Sequence, residues 1–98
     1  MKNFLILLRY KVPIEIVEEH TVAHRTYLKT LYASGDLMFS GPFVPRVAGV
    51  LWARAAERSR VDAFIAQDPF FLNGVADYEV NEFTVTMHAS SLDAAFPV

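Results

Sequence analysis

The chain has 98 residues, a formal net charge of -2, and 53% apolar and 13% aromatic content. That supports one domain with a real core and excludes a disordered chain. Lys and Arg stand singly, so no basic stretch suits nucleic acid; the absence of cysteine excludes a disulfide framework and thiolate metal sites and fits a reducing cytoplasm.

Asn3 to Lys11 reads as the first strand. Phe4, Ile6, Leu8 and Tyr10 form one alternating set, and Leu5, Leu7, Arg9 and Lys11 form the other. Both sets are apolar over their first half, which a sheet with one wet face would not show. The run Phe4 to Leu8 is the longest apolar stretch and is too short to span a membrane. Its flanks, Lys2 before and Arg9, Tyr10 and Lys11 after, do not resemble a signal peptide. A location in the cytoplasm is therefore expected, with neither membrane nor nucleic acid as a partner.

Pro13 opens a helix that runs to about Ser34, because its fixed φ and missing N–H suit a first turn. Glu15, Glu18 and Glu19 lie toward the positive end of the helix dipole, and Arg25 and Lys29 come later. Ser34-Gly35-Asp36 ends the helix, with Gly35 as a left-handed cap. Val17, Thr21, His24, Leu28 and Leu31 fall on one stripe at helical spacing. An imidazole in the middle of a core-facing stripe must find hydrogen-bond partners there.

Leu37 to Ser40 is expected to be a short strand, Gly41-Pro42 a turn and Phe43 to Arg46 a loop. Val47 to Arg54 is the next strand, and neither of its faces is polar. Ser59 is a candidate N-cap for a helix from Arg60 to Gln67, in which Val61, Phe64 and Ile65 form a packed face. Asp68-Pro69 stops it, because proline disfavours the α conformation at Asp68. Asp68 is placed to cap a short turn from Pro69 to Asn73. Tyr78 to Met87 is the last strand. Its apolar parity changes between Val80 and Phe83, which implies either a bulge near Asn81-Glu82 or a change in the covered face. Residues 1–88 thus form one domain, and 89–98 a tail whose Leu92, Phe96 and Val98 are available to pack on a partner subunit.

The order β-α-β-β-α-β is that of a ferredoxin-like α+β fold, with a four-stranded antiparallel sheet and both helices on one face. The other face of three strands is also apolar, and no remaining element covers it. A homodimer with two sheets packed face to face answers that need, with higher assembly left open.

Three pieces stand out: His24, Ser40-Gly41-Pro42 and Asp68-Pro69-Phe70. Together with Arg25-Thr26-Tyr27-Leu28, Gly35-Asp36-Leu37, Gly49 and Gly74-Val75, they make the chain resemble the YCII-related family of the dimeric α/β-barrel superfamily. The resemblance covers about residues 4 to 87, although the loop Phe43 to Arg46 is shorter than in many relatives. It implies a cleft beside the sheet and a catalytic His–Asp pair, which would be His24 and Asp68. It also implies isomerase or lyase chemistry on small ring compounds without a cofactor.

A carboxylate that accepts from one ring nitrogen fixes a histidine's tautomer and leaves the other nitrogen to move a proton. Against this, a histidine on an apolar face can be a satisfied core residue, and an aspartate before proline a cap. Ser40 with the Gly41 N–H could hold a substrate oxygen, or could serve only as a turn. Arg46 could meet an anionic substrate or be a solvated loop charge. Pro42 and Phe70 complete the candidate substrate-binding set. Trp52, Phe70 and Phe71 are pocket or core. His20 and His24 share the i, i+4 spacing of metal ligands, but Thr21 stands where a metalloprotease helix needs glutamate, so no metal is assigned. The competing function is a non-catalytic small-molecule-binding or accessory module of the same fold.

Overall fold

The computed structural model describes residues 1–96 and runs β1 (Lys2–Tyr10), α1 (Ile14–Ala33), β2 (Leu37–Pro42), β3 (Ala48–Ala55), α2 (Arg58–Ile65), α3 (Pro69–Leu72) and β4 (Ala76–Phe83), with a last 3-10 turn at Ser90–Leu92. All three strand pairings are antiparallel, in the order β2-β3-β1-β4. Each β-α-β unit therefore skips one strand, which is the split arrangement expected from the element order. Val98 lies outside the described residues.

The alternation in β1 sorts the two faces. Phe4, Ile6 and Leu8 are fully or almost fully buried on the helix side, opposite Ala53, Leu51 and Gly49 of β3. Val17, Leu28 and Leu31 of α1 and Val61, Phe64 and Ile65 of α2 close over them. Each such side chain removed from water contributes roughly 1.5–3 kcal/mol. The buried stripe of α1 is Val17, Thr21, His24, Leu28 and Leu31, as its spacing predicts.

The sequence misplaces several boundaries. Gly41 and Pro42 are not a turn: β2 continues through them, with Gly41 opposite Val50 and Pro42 opposite Gly49. Proline is tolerated there because β2 is an edge strand. The connection lies further on, around a cis Val44–Pro45 bond, and is closed by the Phe43 N–H donating to the Ala48 carbonyl at 2.9 Å. Ser59 does not cap α2. That helix starts at Arg58 behind Glu57, whose side chain makes no capping bond, and it ends at Ile65. The last strand stops at Phe83, which pairs with Asn3 near the start of β1, so Thr84 to Met87 have no partner strand. No bulge interrupts β4; the irregularity is in β2, between Leu37 and Phe39. The parity change is thus a change of face: Tyr78 and Val80 pack on the helix-side core, whereas Phe83 meets Trp52 across the sheet.

The open face is half polar. Arg9 pairs with Glu79 at 3.7 Å and Lys11 with Asp77 at 2.9 Å on the β4 side. On the β2–β3 side, Trp52 is surrounded by Phe39, Phe83 and Phe96, with ring centroids 5.2, 6.5 and 5.3 Å away. Phe96 belongs to the C-terminal segment, which lies over the chain's own sheet and is tied there by Arg54 donating to the Ala95 carbonyl at 2.6 Å. Some cover that seemed to require a partner is therefore internal.

Gly35, at φ +83°, closes α1 in a Schellman motif, with the Asp36 N–H on the Leu31 carbonyl and the Gly35 N–H on that of Tyr32. The turn presents Asp36 to Arg60 of α2, which donates to both carboxylate oxygens at 3.1 and 2.7 Å. Those hydrogen bonds hold the Asp36 carboxyl below its ordinary range, against the opposing effect of burial. With the folded value lower than the unfolded one, the contribution to stability is complete above about pH 4 and is lost as pH falls through the folded value. Arg60→Gln should therefore melt below the wild type at neutral pH, with the difference closing in acid. A difference independent of pH would assign Arg60 a packing role instead.

Candidate active site

His24 projects from the middle of the buried stripe of α1 toward the segment that joins α2 to α3. There Asp68, only 2% exposed, sits with its Oδ1 2.7 Å from His24 Nδ1. Asp68 has this position because it is the N-cap of α3: it is extended at φ -69°, ψ 127°, Pro69 follows in the first turn, and Oδ1 also accepts from the Phe70 N–H at 2.9 Å. The capping role and the histidine contact, alternatives in the sequence, are one arrangement.

A carboxylate only accepts, so Nδ1 carries the proton in this pair. In the neutral imidazole the lone pair is then on Nε2. The ring is held a second way. Phe70 stacks on it at 3.9 Å between centroids with an interplanar angle of 3°. Tyr10 meets Phe70 edge-on at 6.0 Å. The hydrogen bond and the stack together leave the imidazole little freedom to turn.

His24, Ser40, Gly41, Pro42, Arg46 and Phe70 all line one cleft between α1 and the β2–β3 hairpin. Of the site residues expected from sequence, only Asp68 is absent from the lining; it lies behind the histidine. The cavity volume is about 60 Å³. That admits a handful of waters or the reacting end of a small molecule. Trp52 is on the opposite face of the sheet, Phe71 packs edge-on against Tyr78, and His20 is not part of the lining. Among the described residues no group of three or more His, Asp or Glu is placed to hold a metal ion.

Several contacts have no local signal in the sequence. Thr21 donates to the Val17 carbonyl at 2.8 Å and accepts from Arg46 Nη2 at 3.0 Å. Tyr32 donates to Ser40 Oγ at 2.5 Å, leaving the serine proton for a ligand. Arg25 and Tyr10 also border the cleft. Deeper in, the Tyr78 hydroxyl is buried without a hydrogen-bond partner in good geometry among the described residues. Burial, and then the charge of Asp68, push this phenol far above its ordinary range, so it stays protonated. Spacing rules find none of these, because each joins elements far apart in the chain or sharing only the cleft. The one exception is the helical i, i+4 step from Val17 to Thr21 to Arg25.

The sequence model of the YCII-related domain matches residues 3–84, and the chain belongs to that family. No curated protein matches it. Among solved structures it is similar to 5-chloro-2-hydroxyhydroquinone dehydrochlorinase from Burkholderia phenoliruptrix AC1100, in complex with 2,5-dihydroxybenzoquinone. The TM-score is 0.69 at 20% identity, over 83% of this chain and 93% of the other. That likeness establishes the fold. No helix among the described residues is long and apolar enough to cross a membrane.

Removing the carboxylate should uncap α3 and strand the His24 Nδ1–H in a dry site. Asp68→Ala is expected to cost about 2–4 kcal/mol, combining about 1 kcal/mol for the cap with about 1–3 for an unpaired buried group. Asp68→Asn, which still caps and still accepts, should lose less. Urea unfolding with an unchanged m-value measures both, and a loss below about 0.5 kcal/mol for Asp68→Ala would show that the pair holds nothing together.

Proposed function

We propose that this member of the YCII-related family is a cofactor-independent lyase or isomerase that transfers a proton on a small oxygenated or halogenated ring compound. The observation that carries the proposal is the 2.7 Å contact between His24 Nδ1 and Asp68 Oδ1 at the back of a cleft that His24 itself lines. Among the described residues His24 Nε2 has no hydrogen-bond partner, and it is not sealed from solvent. It is the general base or acid in this reading. Asp68 is the positioning group that fixes the tautomer and steadies the imidazolium after the proton moves. Ser40, with its oxygen held by Tyr32, donates its proton to a substrate oxygen, and Gly41 lies beside it in the cleft wall. Arg46 receives a charged group, and Pro42 and Phe70 supply apolar wall.

The reading draws support from the similar solved structure, whose printed name is that of a dehydrochlorinase acting on a hydroxylated chloroaromatic. Elimination of hydrogen chloride and isomerisation both begin with removal of a proton from carbon, so one base serves either. We assign the protein to the cytoplasm on its cysteine-free composition, residues 1–88 to the catalytic domain and 89–98 to the tail.

We further infer a homodimer through the open sheet face. Trp52, Phe39 and Phe83, with the C-terminal segment, border a hollow of about 390 Å³ there, and Phe39 remains 47% exposed. A second sheet would close it. Light scattering at micromolar concentration should return twice the chain mass of 11.1 kDa or a multiple of that dimer; a monomer rejects the interface.

A panel of chlorinated hydroquinones and unsaturated lactones, followed by halide release and ultraviolet spectra, tests the chemistry. His24→Ala should lower turnover by about 10²–10⁴-fold with its circular dichroism unchanged, as for loss of a general acid–base group. Unchanged turnover in the folded variant removes the proposal. Saturable binding without turnover across the panel would favour the accessory, non-catalytic module.

A further inference from the structure

The cleft carries a charge imbalance that the proton transfer itself does not require and that bears on which substrate enters. Its lining includes two arginines, Arg25 and Arg46, and no aspartate or glutamate, in a chain whose net charge is -2. Asp68, the carboxylate nearest the histidine, is engaged behind the ring by His24 and by the Phe70 amide.

Of the arginines with assigned contacts, Arg46 and Arg54 have no carboxylate partner, and each has a buried Nε with no hydrogen-bond partner among the described residues; only Arg46 lines the cleft. Arg9, Arg58 and Arg60 each pair with a carboxylate, and Arg54 donates to the Ala95 carbonyl beneath Phe96. Among the described residues Arg46 has one hydrogen-bond acceptor, the neutral Thr21 hydroxyl, at 3.0 Å, and its buried Nε has none. Thr21 gives its own proton to the Val17 carbonyl at 2.8 Å, so a lone pair always faces the guanidinium. Thr21 lies one helical turn before His24. The helix that presents the imidazole thus also fixes a guanidinium beside it. A cation tethered by a neutral acceptor keeps its charge for a ligand, and a partly dry cleft makes that charge act more strongly than it would in water.

Beyond Arg46 and Tyr10 a second hollow of about 250 Å³ is bordered by Tyr10, Val12, Ile14, Arg46 and Val47. Apart from Arg46 and the Tyr10 hydroxyl its wall is apolar. The inner cleft has the charge and the imidazole but little room, and the outer hollow has room and greasy walls. Arg46 borders both.

We propose that the cleft selects an organic anion, a carboxylate or an acidic enolate or phenolate oxygen on an apolar body. Arg46 binds the anionic oxygen, Arg25 adds its charge at the mouth, and the apolar body lies in the outer hollow. The proposal rests on the reading that this cleft is where substrate binds, and it adds the class of substrate. Arg46 is then a specificity residue: it draws in and orients a charged ligand, whereas His24 acts on it.

Benzoate and benzamide, equal in shape and different in charge, test the proposal on the intact chain. Titrations are followed through the amide resonances of Ser40, Gly41 and Arg46 in ¹⁵N-labelled protein. Benzoate should bind saturably and at least about tenfold more tightly than benzamide, as expected for a charge-assisted contact, with affinity falling as salt rises. Arg46→Gln should bring benzoate to the benzamide level, and Arg46→Lys should retain part of the preference. His24→Gln should keep the preference, which separates this proposal from the catalytic one. Equal binding of the two probes, no saturable response to benzoate, or an undiminished preference in folded Arg46→Gln would each overturn the anion site while leaving the His24 turnover test untouched. An Arg46-dependent benzoate preference in a chain that turns over nothing would support the anion site and count only against catalysis.

Discussion

One carboxylate oxygen holds this site together. Asp68 Oδ1 accepts one hydrogen bond from the Phe70 N–H and another from His24 Nδ1–H, at 2.9 and 2.7 Å. The first bond starts α3 and so sets where Phe70 lies. The second joins that short helix to the middle of α1. Because Phe70 then stacks on the ring that Asp68 binds, two of the imidazole's three constraints come from residues two apart in the chain. Its own backbone on α1 supplies the third. An ionised group buried to 2% exposure would cost several kcal/mol without such partners. Capping and histidine orientation are thus met by the same side chain, and neither can be altered alone.

The layers explain why one side of that histidine is dry and the other wet. Behind it lies the buried Asp68, and Phe70, part of the helix-side core, stacks on its ring. In front, β3 carries Gly49, which has no side chain to fill the space before α1, and the Gly41 backbone borders the same space. The carboxylate therefore acts from a site of low dielectric, where its hydrogen bond is strong. The opposite nitrogen faces the side that solvent reaches. An acid–base residue needs this asymmetry: a fixed partner that does not exchange, and an open face that does.

Much of the arrangement was legible from residue order because it rests on local periodicity. Helical spacing alone put His24 among Val17, Thr21, Leu28 and Leu31, and strand alternation in β1 separated Phe4, Ile6 and Leu8 from their neighbours. Asp68-Pro69 announced a helix start through capping chemistry. What failed was punctuation overridden by pairing. Gly41-Pro42 carries the composition of a turn, yet an edge strand needs only some of its N–H groups, so the ladder with β3 runs through it. Thr84 to Met87 has the composition of a strand and is none, because beyond the Asn3–Phe83 pair β1 has only Lys2 to offer four residues. Local rules record what a segment prefers and not whether a partner is present.

The same distinction governs the chemistry. His24, Asp68 and the cleft residues Ser40 and Arg46 were recognisable as types, but the contacts that hold Ser40 and Arg46 in place were not. Tyr32 reaches Ser40 across the turn that follows α1, and Arg46 reaches Thr21 from the far end of the β2–β3 hairpin. Tyr32 does not stand out in the sequence, and Arg46, a candidate there for meeting an anion, gives no sign that Thr21 holds it. They matter because the strand register brings the hairpin end level with the middle of α1. A shift of β2 by one residue would turn Ser40 to the opposite face of the sheet, away from the imidazole, since side chains alternate along a strand. The bulge between Leu37 and Phe39 sits upstream of that point and sets the parity of every residue after it. An irregularity invisible to periodicity is therefore what aims the serine at the histidine.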